Sequence, residues 1–191
     1  YRLYRKSIKN ECYLPKKLTL FNIFIKKTKI MKTLITLLFT LFITSLSFSQ
    51  DVLPSMQIKS LDGQSIQLED ISKNDQLVVV SLWATWCVPC KNELDAISEV
   101  YDYWIDETNV KLYAISVDDS RTVKRVKPLV SGKGWDYEIL LDTNSDLKRQ
   151  LNAPTIPLTL LVKNNKILYR HSGYTPGAED ELYKKIKEFS K

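Results

Sequence analysis

The chain has 191 residues and carries 28 Lys and Arg against 22 Asp and Glu, a formal charge of +6. That excess lies in residues 1–50, which hold ten basic side chains and one acidic one, Glu11, whereas residues 51–191 hold 18 basic and 21 acidic. The part expected to fold is slightly acidic, so its charge gives no basis for nucleic-acid binding.

Residues 1–30 open on Tyr1 and show no sustained hydrophobic period. We expect Met31 to be the true start, with residues 1–30 either translated non-coding sequence or a leader extension, outside the fold in both cases. Residues 31–49 have the pattern of a signal peptide. Lys32 supplies a short basic region, Leu34–Ile43 an apolar core, and Ser47 and Ser49 the small residues a signal peptidase reads, with cleavage expected before Gln50. An uncleaved membrane anchor is the alternative, although Leu34–Phe48 falls short of the roughly 18–20 residues of a span. No cysteine directly follows the apolar core, which argues against a lipoprotein.

Residues 52–191 suit one domain with a sizeable core. Gln57–Leu68 alternates apolar and polar residues around Asp62-Gly63, a hairpin signal. Leu77–Trp83 is an apolar run that reads as a buried central strand. Beyond Cys90, Leu94, Ile97, Tyr101 and Trp104 recur at helical spacing. Val110–Val117 reads as a strand and Asp118-Asp119-Ser120 as a turn. Arg121–Val130 reads as a basic helix interrupted near Pro128 and stopped by Ser131–Gly134. Tyr137–Leu141 is a further strand, and Ser145–Leu151 a short helix with Ser145 as its expected N-cap. Leu158–Val162 and Lys166–Arg170 flank Lys163-Asn164-Asn165 as a hairpin. Thr175-Pro176 is expected to open a last helix with Leu182, Ile186 and Phe189 on one face. This order implies an α/β fold, a mixed sheet with helices on both faces.

The chemistry concentrates in Trp83-Ala84-Thr85-Trp86-Cys87-Val88-Pro89-Cys90, at the junction of the central strand and the first helix. Unpaired N–H groups and the partial positive charge of a helix start favour a thiolate over a thiol. Cys87 is therefore the expected nucleophile and Cys90, one turn deeper, the shielded resolving thiol. Pro89 fits because the first turn needs no donor there. A half zinc site is the competing reading. Zinc takes about four ligands, and the only other Cys and His of the chain are Cys12 and His171, so no metal is expected. The loop that a Cys87–Cys90 bond closes is too short for a structural staple, which favours a redox-active pair.

On that run, on the leading hairpin, and on Ile156-Pro157-Leu158-Thr159, the chain resembles the TlpA/ResA-like group of thioredoxin-fold thiol–disulfide oxidoreductases over about residues 52–189. The resemblance implies a thioredoxin fold with an N-terminal β-hairpin extension, no cofactor beyond the Cys87–Cys90 pair, and an extracytoplasmic location, periplasmic after signal cleavage. It implies disulfide-bonded protein substrates, a membrane thiol protein as electron donor, and a monomer that meets the membrane only if the leader stays attached. A role in cytochrome c maturation occurs in the group.

The resemblance also assigns residues. Pro157 is implied to be cis and to set the backbone of Ile156 beside the sulfurs, where an extended substrate chain can pair; Pro154 is the competing candidate. Glu93, three residues after Cys90, is implied to be the proton acceptor for Cys90. Ordinary thioredoxins use an aspartate in the preceding strand, where this chain has Ser81. Trp86, Val88 and Pro89 complete the implied substrate surface. Two departures stand out: Asp95 replaces a frequent helix-kinking proline, and Thr159 follows Leu158 where the group commonly reads Pro-Thr-Thr. His171 reads as a surface or satisfied histidine, Trp83 as core, and the Lys124-Arg125-Lys127 run as a solvated helix face. A peroxidase on the same fold would need Thr and Pro at set distances before its cysteine, a context neither cysteine has. A binding or chaperone-like module is the non-enzymatic alternative.

Overall fold

The computed structural model describes Lys32 and residues 52–191. The chain divides into two units, Tyr1–Ser49 and Gln50–Lys191, and every element named here belongs to the second. The expectations for residues 1–30 and for the signal peptide at 31–49 fall outside the described residues, Lys32 apart. Among the described residues no helix is long and apolar enough to cross a membrane.

Seven strands form one mixed sheet. In chain order they are β1 (Gln57–Ser60), β2 (Ser65–Gln67), β3 (Leu77–Trp83), β4 (Lys111–Ser116), β5 (Glu138–Leu141), β6 (Leu158–Lys163) and β7 (Lys166–Ser172). Their order across the sheet is β2-β1-β5-β4-β3-β6-β7. β3, β4 and β5 run parallel, whereas β6 and β7 are antiparallel additions on one side and the β1–β2 hairpin on the other. Every residue of β3 is buried, because this central strand is covered on both faces and needs no polar alternation.

Four helices cover the sheet: α1 (Val88–Thr108), α2 (Val126–Lys133), α3 (Asp146–Gln150) and α4 (Ala178–Phe189). The crossovers β3-α1-β4 and β4-α2-β5 step the same way along the sheet, so right-handedness puts α1 and α2 on one face. There the end of α2 and the residues beyond it meet α1, with Lys133 Nζ 2.6 Å from Asp95 Oδ2 and Trp135 Nε1 donating to Asp95 Oδ1 at 3.0 Å. α4 packs on the same helix through Tyr183, stacked on Trp104 with ring centroids 5.5 Å apart. α3 ends on the opposite face, where Arg170 of β7 donates to the carbonyl of Leu151.

Three expectations about helix ends require correction. Ser145 has φ 55° and makes no side-chain cap. The buried carboxylate of Asp142 caps α3 instead, accepting from the N–H groups of Asp146 at 2.8 Å and Lys148 at 3.1 Å. The Arg121–Val130 helix divides into a 3-10 turn, Val123–Arg125, and α2, which continues through Gly132 to Lys133 and stops at Gly134 with φ +66°. Pro128 lies in the first turn of α2, where its missing N–H costs nothing, so it marks a start and not an interruption. The last helix begins at Ala178 after Gly177 (φ +93°), not at Thr175-Pro176. Glu179 reaches back to accept from the Gly177 N–H at 3.1 Å, satisfying a donor that a helix start leaves open.

Candidate functional site

Cys87 is the N-cap of α1 and is bonded to Cys90, with the two Cα atoms 5.4 Å apart. The Cys87 sulfur also accepts from the backbone N–H of Cys90 at 3.3 Å, so one sulfur is held by the helix start itself. Cys87 is 5 % exposed and Cys90 fully buried. The disulfide lies beneath a small apolar surface in which Trp86 is 57 % and Val88 60 % exposed, with Pro89 also open to solvent. Across from it the Ile156–Pro157 peptide is cis, the single cis bond among the described residues, so Pro154 is not the residue concerned. The carbonyl oxygen of Ile156 stands 3.9 Å from Cys87 Sγ.

One turn past Cys90, Glu93 points into the protein and is 4 % exposed. Its carboxylate accepts from Ser81 of β3 at 3.0 Å and from Thr159 of β6 at 2.6 Å. Burial pushes the carboxyl up to about 7; the two hydroxyl donors pull the other way, and the charge of Glu179 adds to the rise. Ser81 and Thr159 are direct cross-strand partners, so they share a face of the sheet and meet one carboxylate from below.

One residue that keeps the group's pattern and one that departs from it both have a role in the fold. Thr159 supplies the shorter hydrogen bond to Glu93, and Asp95 ties α1 to Lys133 and Trp135 while α1 runs unbroken from Val88 to Thr108. Trp83 is core, its ring edge-on to Trp135 at 5.2 Å.

Asp118 escaped sequence reasoning, which read it as a turn residue. It is fully buried. Its carboxylate accepts from the N–H of Thr85 at 2.8 Å, the hydroxyl of Thr85 at 2.6 Å and the hydroxyl of Ser116 at 2.8 Å. The loop that carries Trp86 and Cys87 is thus clamped from the end of β4. No local pattern announces a contact between residues 33 apart, and only the parallel pairing of β3 with β4 creates it. Among the described residues no group of three or more His, Cys, Asp or Glu is placed to hold a metal ion.

A two-sulfur centre at a helix start, faced by a cis-proline and backed by a buried acid, defines a thioredoxin-fold protein built around a dithiol–disulfide pair. The chain belongs to the AhpC/TSA family, whose model matches residues 50–171. Its likeness is to the TlpA/ResA-like thiol–disulfide oxidoreductases. It is 25% identical over 135 residues to the thiol-disulfide oxidoreductase ResA of Bacillus thuringiensis subsp. konkukian, covering 70% of this chain and 75% of that one. A thioredoxin-like protein of Porphyromonas gingivalis, solved in solution, is 45% identical with a TM-score of 0.65, over 72% of this chain and 91% of that one. StoA of Bacillus subtilis shares the fold at 23% identity and a TM-score of 0.57, over 74% of this chain and 99% of its own.

Proposed function

We propose that the protein reduces disulfides of extracytoplasmic proteins through Cys87 and Cys90. The observation that carries this reading is the Cys87–Cys90 bond at the start of α1, beneath exposed Trp86 and Val88 and beside the Ile156 carbonyl. In the reduced protein the Cys87 thiolate attacks a substrate disulfide. One substrate sulfur leaves as a thiolate and takes a proton from water, and the other stays in a mixed disulfide with Cys87. Cys90 gives its proton to Glu93 and, as a thiolate, attacks Cys87 Sγ. The second substrate thiolate departs, and two electrons have passed from the dithiol to the substrate. A membrane thiol protein returns the pair to the dithiol. Trp86, Val88, Pro89, Ile156 and Pro157 form the surface on which an extended substrate segment lies, its backbone pairing with that of Ile156. The leader at residues 31–49 sets the reaction outside the cytoplasm, and the protein acts as a monomer.

Insulin reduction tests the reading. The wild-type protein should accelerate precipitation of reduced insulin over dithiothreitol alone, and Cys87→Ser should abolish the acceleration. Wild-type protein no faster than dithiothreitol, with its disulfide intact, would leave only a binding module. Consumption of peroxide dependent on one cysteine would instead establish a peroxidase.

A further inference from the structure

The polar pair beneath Glu93 does not end at Thr159. On the far side of β6, His171 of β7 is the direct partner of Thr159, so Ser81, Thr159 and His171 form a continuous polar row across three strands on the face that α1 and α4 cover. A narrow crevice of about 10 Å³ lies over Thr159 and His171 of this row and is lined also by Glu93, Tyr169 and Glu179 among others. That is room for about one water. Glu93 is enclosed, while His171 and Glu179 are part-exposed, so the crevice leads from the buried carboxylate toward solvent.

We propose that His171 and Glu179 form the exit through which the proton taken up by Glu93 leaves the protein interior. This rests on Glu93 being the acceptor for Cys90. The Thr159 hydroxyl, already bonded to Glu93 at 2.6 Å, can donate on one side and accept on the other. The imidazole is the side chain suited to taking and releasing a proton near neutral pH. Its ring lies parallel to that of Tyr169, with centroids 6.4 Å apart, which holds it in the row. Glu179 is fixed at the crevice mouth by the hydroxyl of Tyr174 at 3.0 Å and the N–H of Gly177 at 3.1 Å. Glu181 and Lys185 of α4 face Tyr169, and Glu99 of α1 acts on Tyr174, so the mouth also carries charges of both signs.

The step is a proton transfer only. A proton on a Glu93 oxygen passes by way of the hydroxyl and a water to His171, the imidazolium gives it to bulk solvent, and Glu93 is left as the carboxylate. The route matters most below about pH 7, where Glu93 carries a proton that it must unload before it can accept one from Cys90. Well above that pH the carboxylate is already free. His171 and Glu179 are relay and positioning groups and touch no sulfur chemistry.

Stopped-flow mixing of the reduced protein with a small peptide disulfide measures the resolution step as a function of pH. We expect His171→Gln to slow resolution about tenfold below about pH 7 and to match wild type near pH 9, a smaller effect than the ~10²-fold of a direct proton-transfer group. Free imidazole should restore His171→Ala, and Glu179→Gln, which also removes a charge that raises the Glu93 carboxyl, should slow resolution less than His171→Gln does. If Glu93→Gln is slow while His171→Gln follows wild type at every pH, the exit is wrong and the role of Glu93 stands. Slowing by His171→Gln that is equal at all pH, with no imidazole rescue of His171→Ala, also overturns the exit. If Glu93→Gln resolves as fast as wild type, the acceptor itself is wrong and the exit falls with it.

Discussion

Glu93 and Asp118 are both buried carboxylates close to the Trp86–Cys87 loop, and they are held in opposite ways. Asp118 binds a backbone N–H and two hydroxyls, one of which belongs to the same Thr85 as the N–H. Glu93 binds two hydroxyls from neighbouring strands, no backbone donor, and borders a crevice. A hydroxyl can rotate when the carboxylate gains a proton, whereas an amide cannot. Burial alone therefore does not make a proton acceptor: the donors decide whether an acid is a clamp or a site of exchange.

Three substitutions test this contrast. Asp118→Ala should have the largest effect on the fold, because it leaves the Thr85 N–H buried without a partner. We expect a stability loss of about 3 kcal/mol in denaturant unfolding. A loss below about 1 kcal/mol would show that the loop is held by packing alone.

Glu93→Gln should slow resolution of the mixed disulfide about 10²-fold. It should act on stability in the opposite sense. The folded carboxyl titrates near 7 against an ordinary value of 4.5, so its contribution is complete below the lower value and is lost as pH rises through the higher one. The wild-type oxidised protein should lose stability between those limits, by at most about 3 kcal/mol, and Glu93→Gln should flatten the curve. A wild-type curve that is flat or rising over that window would remove the elevated carboxyl.

Thr159→Val should have the smallest effect. Loss of one of the two donors leaves burial less opposed and removes the hydroxyl that links Glu93 to the crevice, so the acid limb of the resolution rate should move up by at least about one pH unit. An unmoved limb would mean that Ser81 alone holds Glu93.

Much of this was legible in one dimension. Seven consecutive buried residues in β3 and the spacing of Leu94, Ile97, Tyr101 and Trp104 are patterns within one element, and the structure has both elements. The 62–63 turn and the paired strands of β6 and β7 were also readable, the latter because Asn164 and Asn165 tolerate positive φ at 49° and 64°. Helix starts were read less well. Asp142 displaced Ser145 as a cap, and Pro128 opened a helix it was expected to disturb, because capping depends on which nearby group reaches the free N–H first.

Sequence by itself determined the dithiol, its place at a helix start and the alternation of strands and helices, since each is written in residues a few positions apart. Only the tertiary structure decided what surrounds Glu93. Its two donors come from positions 12 and 66 residues away, and His171 stands beside them by strand register alone. Register is set by the packing of the whole sheet, so no short stretch of chain contains the environment that tunes this acid.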